Sequence, residues 1–114
     1  MVNKFVILPV SITLMLSAFQ AGAATEEQLN SIKRMGQLNG VALHCKFLRE
    51  ARRMKLVLVA ALPKRRQLGQ TFDDSTNKSF LTFIQNRSVC PGQQQFTQEV
   101  DTAVANLNQA FTKL

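Results

Sequence analysis

Apolar residues recur along this chain at intervals of three and four, the spacing of one face of an α-helix. Between Val41 and Arg66, Leu43, Phe47, Ala51, Met54, Leu58 and Leu62 fall on one stripe, while Lys46, Arg49 and Arg53 project from another side. Nearer the C-terminus Phe96, Val100, Val104, Leu107, Phe111 and Leu114 make the clearest stripe, with Gln98, Asp101, Asn108 and Lys113 on the other faces. Leu29, Ile32 and Met35 take the same step earlier in the chain. Leu68 and Phe72, then Phe80, Phe83 and Ile84, take it in the region between.

The residues between the stripes set the boundaries. Thr25-Glu26-Glu27-Gln28 has the form of a capping box, in which the threonine hydroxyl accepts from the third backbone N–H and the glutamine reaches back to the cap. Gly36 and Gly40 each lower helix propensity by about 1 kcal/mol relative to alanine. A first helix is therefore expected to end near Asn39 and Gly40, or to continue, kinked, into the next. The second helix is expected from about Val41 to Leu62. Its end, LVLVAAL, has the composition of a strand, but no second strand-like segment exists to pair with it. Pro63 closes the helix and is also acceptable as the first residue of the next. In the third segment Asp73-Asp74-Ser75-Thr76-Asn77 favours caps and turns. The segment reads either as one helix with a polar middle or as two short helices meeting at Asp74 to Asn77; the second is favoured, a break or kink with Asp74 or Ser75 capping the second piece. Cys90-Pro91-Gly92 makes a turn before the last helix. The pattern as a whole predicts an all-α fold, a compact bundle of four to five short helices.

The first residues change where this bundle is expected to work. Met-Val-Asn-Lys, an apolar run from Phe5 to Phe19 and Ala21-Gly22-Ala23 have the form of a secretory signal peptide cleaved after Ala23. An uncleaved anchor is the competing reading, although the run falls short of the roughly 20 apolar residues that a spanning helix needs. Residues 1–23 are thus read as a leader and residues 24–114 as one helical domain, periplasmic or secreted. Small exported domains often carry a covalent staple. The two cysteines, Cys45 and Cys90, are expected to form a disulfide; free or metal-bound thiols are the alternative, but zinc needs about four ligands.

Loss of the leader removes Lys4 and leaves thirteen basic against seven acidic residues, net +6. From Lys33 to Arg66 there are ten basic residues and one acid, Glu50. Such a surface attracts anionic partners. Lys46, Arg49, Arg53, Lys64, Arg65 and Arg66 are the candidate partner-binding residues. Catalytic chemistry has few parts to draw on: one histidine, no tyrosine, no tryptophan and seven acids. Asp73 and Asp74 are adjacent, and neighbours on a helix point about 100° apart. His44 beside Cys45 makes no thiol–imidazole couple if Cys45 is in a disulfide. The chain holds no Gly-rich phosphate loop, no C-x-x-C and no G-x-S-x-G. No enzyme activity, cofactor or metal is expected. Nucleic acid is not an expected partner, because no exposed aromatics are interleaved with the charge. The phenylalanines are assigned to the core by their stripes.

A leader, about ninety mature residues and two cysteines, Cys45 and Cys90, each expected near a helix end, resemble the plan of small periplasmic one-disulfide helical proteins such as the HdeA-like acid-stress chaperones. The basic charge departs from that family. Size, leader and charge are also similar to plasmid-encoded KikA-type killing and conjugation accessory proteins. Neither resemblance carries over a functional residue. The expected function is a non-enzymatic exported binding or accessory protein, monomer or dimer, that engages an acidic envelope partner through a basic helical face. A secretion or conjugation accessory, an inhibitor and a chaperone-like protein all fit that description. The alternative is a membrane-perturbing or cell-killing protein, since Arg49, Arg52, Arg53 and Lys55 adjoin the run Met54 to Val59 and suit an anionic membrane surface.

Overall fold

Four helices account for the regular structure of residues 23–112, the residues that the computed structural model describes: α1 (Glu26–His44), α2 (Leu48–Ala61), α3 (Arg66–Gln85) and α4 (Gln93–Thr112). Residues 1–22, the expected leader but for Ala23, and Lys113 and Leu114 lie outside the described residues. The segment LVLVAAL is helical through Ala61, and the α4 stripe is buried at Phe96, Val100 and Leu107 and half-buried at Val104 and Phe111. The expected capping box is present: the Thr25 hydroxyl accepts from the Gln28 N–H at 3.1 Å, and the Gln28 side chain accepts from the Thr25 N–H at 2.9 Å. The Gln28 amide also donates to the Ala110 carbonyl at 3.1 Å, fixing the start of α1 to the end of α4. Thr25→Ala should lower stability by about 1 kcal/mol, read as a shift in the urea midpoint with an unchanged slope.

The helix boundaries differ from the sequence expectation in two places. α1 does not stop at Asn39–Gly40; it runs through both glycines to His44. It ends in a Schellman motif, in which Lys46 takes the left-handed conformation (φ 61°) and the Phe47 N–H donates to the Ala42 carbonyl at 2.8 Å. Leu43 therefore belongs to α1 and is exposed, and the stripe expected to begin there begins instead at half-buried Phe47. Cys45 caps the end of α1 and does not open the second helix. The expected break at Asp74–Asn77 is absent, because α3 is continuous. It ends as α1 does, with Arg87 left-handed (φ 49°) and the Ser88 N–H donating to the Phe83 carbonyl at 3.1 Å.

The glycines and the polar residues of α3 serve one contact. Gly36 and Gly40 lie a turn apart on the side of α1 that meets α3. A Cβ on Gly36 would stand 2.5 Å from Ser75 Cβ and 2.8 Å from the Phe72 carbonyl oxygen. One on Gly40 would stand 2.7 Å from Ser79 Cβ and 2.7 Å from the Phe80 nitrogen. Only bare backbone allows the helices so close. Ser75, Thr76 and Ser79 are small enough to meet it. The Asn39 side chain donates to the Thr76 hydroxyl at 3.2 Å, and the Ser79 hydroxyl donates to the Gln37 carbonyl at 2.6 Å.

α1 is the central helix. α3 lies along it in parallel, as the pairs Gly36–Ser75 and Gly40–Ser79 show, and α2 and α4 pack elsewhere on α1. Ile32, Met35, Met54, Phe96, Val100 and Leu107 are fully buried in their shared core, each worth about 1.5–3 kcal/mol. Phe47 stacks on Phe96 with ring centroids 4.9 Å apart. The backbone of α3 stands off from those of α2 and α4, which leaves a groove on each of its flanks.

The expected disulfide joins Cys45 to Cys90. Because Cys45 closes α1, the bond ties the end of that helix, and not the start of the basic one, to the irregular stretch before α4. His44 lies beside it against Phe83 and Phe80, at centroid distances of 4.9 and 5.7 Å.

Candidate partner-binding surface

α2 sets the geometry of the basic surface. Its inner face buries Ala51, Met54 and Leu58, so residues on the opposite side of the helix face solvent. These are Leu48, Arg49, Arg52, Lys55, Leu56 and Val59. The helix has 14 residues and spans about 21 Å. Lys46 stands exposed at its start, and Lys64, Arg65 and Arg66 stand exposed just past its end. The candidate residues thus run from just before α2, along it, to the connection after it and the first residue of α3. Arg49, Arg52 and Lys55 bridge them across the outer face of α2.

Arg53 is the exception among the candidates. It is half-buried and turned toward α4, where its guanidinium donates to the Asp101 carboxylate and lies 3.6 Å from Glu50. The Asp101 hydrogen bond raises the Arg53 pKa above its ordinary value, which keeps the charge fixed on this pair. Glu50 is buried and accepts from the Thr97 hydroxyl at 3.2 Å. The group therefore fastens α2 to α4 and is not offered to a partner. Arg52, one residue earlier, is the outward arginine. Among the described residues, Arg49, Arg52 and Lys55 take part in no ion pair.

The ridge is not only charged. Leu56 is 65% exposed and Val59 81%, on the same face as Arg52 and Lys55. Beyond Val59 the surface dips into a notch of about 390 Å³ between the end of α2 and the start of α3. Leu58 and Phe72 reach it from the two helices, and Lys55, Lys64 and Arg65 stand at its mouth. The groove on the other flank of α3, about 710 Å³, carries mixed charge: Lys33, Arg34 and Lys78 against Asp74 and Glu99.

Among the described residues, no three His, Cys, Asp or Glu side chains gather at metal-binding range, and no helix is long and apolar enough to cross a membrane. The fold and surface define a class: an all-helical, disulfide-bonded domain with a basic, partly apolar ridge. No protein-family model, curated protein or solved structure matches the chain.

Proposed function

We propose that this protein is a non-enzymatic binding protein of the cell envelope, and that its basic ridge engages an acidic protein partner. The outward display of Arg49, Arg52 and Lys55, none of them ion-paired among the described residues, carries the reading. Cations in that state attract an acidic surface and lose no internal contact on binding. The Cys45–Cys90 bond suits an oxidising compartment, in keeping with the leader expected at residues 1–23. Export of the protein, and a secretion or conjugation accessory, inhibitory or chaperone-like role, belong to this proposal.

The test is crosslinking in envelope extract with the wild type, with Arg49→Glu/Arg52→Glu/Lys55→Glu, and with Lys78→Glu/Arg87→Glu as a control elsewhere on the surface. The ridge variant should lose its crosslinked acidic partner about tenfold or more, and the wild-type complex should weaken as salt rises. An unchanged partner set would count against the ridge.

A second reading, membrane perturbation or cell killing, is favoured by the exposure of Leu56 and Val59 beside those cations. It does not require α2 to leave the bundle, because these two residues already face outward. Leakage of anionic vesicles that Val59→Asp abolishes would support this reading, and no leakage would remove it.

A further inference from the structure

The sequence gives no reason for a glycine at position 69. Gly69 lies inside α3 and is exposed, and a Cβ built there meets no atom within 4 Å. Its backbone is not left-handed either, in contrast to Lys46 and Arg87. A glycine in an exposed helix interior costs about 1 kcal/mol relative to alanine. At Gly36 and Gly40 close helix contact offsets that cost; at Gly69 nothing in the fold does. What the missing side chain does is leave open the wall of the notch between α2 and α3, which Gly69 lines.

We infer that this notch is the anchor pocket of the partner-binding ridge, and that it takes a bulky apolar side chain projecting from an acidic segment of the partner protein. The inference rests on the partner-binding reading above and names the partner's chemistry at that site. Three features agree on the occupant. The lining is largely apolar, with carbon from Val59, Leu62 and Pro63 around the edges of the otherwise buried Leu58 and Phe72. Its volume, about 390 Å³, lies within the roughly 300–1,000 Å³ of ligand pockets. Its mouth carries Lys55, Lys64 and Arg65 against one acid, Asp73, so the charge there selects an acidic approach.

The notch, unlike the protruding Leu56 and Val59 beside it, favours a protein segment over a lipid surface. A flat anionic membrane is met by apolar residues that protrude, whereas a notch is filled by a side chain that projects into it. Exposed Val59 continues the apolar surface from the notch along α2 to Leu56. An amphipathic helix laid along the ridge would cover that strip while its anchor residue enters the notch, as in helix-in-groove recognition.

The probe is a short synthetic amphipathic helix with glutamates along one side and a single central leucine or phenylalanine. It is titrated into the full mature protein and followed by fluorescence anisotropy and by amide chemical shifts. Truncating the peptide's anchor to alanine should weaken binding about tenfold or more. Gly69→Trp fills the notch from a position with open space around it and leaves the net charge unchanged. It should give a similar loss, with the circular dichroism melt preserved. Shift changes should centre on Val59, Leu62, Gly69 and Phe72.

Binding that disappears with Lys55→Glu/Arg65→Glu but ignores both Gly69→Trp and the peptide anchor would overturn the notch and leave the basic ridge standing. Binding indifferent to charge reversal as well would overturn both. Failure to bind the peptide, with binding to phosphatidylglycerol vesicles that Gly69→Trp does not alter, would overturn the anchor pocket in favour of a lipid surface.

Discussion

Gly40→Leu should unseat α3 and lower the melting temperature by about 15 °C or more. The Gly40 Cα already faces the backbone of α3, so even the first carbon of a side chain would lie 2.7 Å from the Phe80 nitrogen. That neighbour is main chain and cannot rotate away. Helix propensity alone favours leucine over glycine by up to about 1 kcal/mol, and overpacking costs about 1–3 kcal/mol even where the surroundings adjust. Here adjustment means moving α3 away from α1. That exposes Phe72 and Leu68, each worth about 1.5–3 kcal/mol when buried, and opens the Asn39–Thr76 hydrogen bond. A net loss of about 4 kcal/mol is expected. In a domain of this size each 1 kcal/mol is worth about 4–8 °C. Gly69→Ala provides the contrast: with open space at its Cβ it should raise stability by up to about 1 kcal/mol. Thermal melts of both oxidised variants check the pair. A Gly40→Leu melt within a few degrees of the wild type would mean that α1 and α3 are not in backbone contact.

That contact is the part of the fold the sequence concealed. A glycine reads as a helix stop because it usually is one at the left-handed position after a helix. In this chain lysine and arginine occupy those positions, at Lys46 and Arg87, while Gly36 and Gly40 sit inside α1 for a partner that lies some forty residues on in the chain. The same tertiary cause misled the reading of α3. Ser75 and Thr76 have the composition of a cap but serve as small residues at a close crossing. What was legible was local. The Thr25–Gln28 box, the stripe of α4 and the identity of the two cysteines each depend on near neighbours or on simple counting.

The candidate surface was legible to the same degree. Its location on α2 follows from charge density, and its cations follow from which side of the helix is buried. Arg53 and Arg52 differ by about 100° around the helix, and only the position of α4, with Asp101, shows that Arg53 is the one turned inward. The notch could not be read at all, because it is formed where the end of α2 faces the start of α3 across Pro63. Gly69 gave a signal in the sequence, a helix-interior glycine, but one indistinguishable there from Gly36.

Loss of the disulfide should be felt first in the second half of α3. The Cys45–Cys90 bond closes a loop with a sequence separation of 45, for which the chain-entropy model gives about 4 kcal/mol. Its place in the fold determines where the loss appears. The backbone of α3 lies close to that of α1 and not to those of α2 or α4, and past the Gly40 crossing the ring contacts to α1 are those of His44 with Phe80 and Phe83. Leu81, Ile84 and Val89 are exposed there. The bond holds the α3–α4 connection to the end of α1 and so keeps the end of α3 seated. The variant Cys45→Ser/Cys90→Ser should therefore melt about 10 °C or more below the wild type. Amides from about residue 79 to residue 87 should lose hydrogen-exchange protection well before those of α4, whose Phe96, Val100 and Leu107 remain in the core. The start of α2 is only indirectly tethered, since Cys45 belongs to α1; amides of the ridge should keep most of their protection. Loss of protection spread evenly over all four helices, or concentrated in α2, would show that the bond does not act by seating α3.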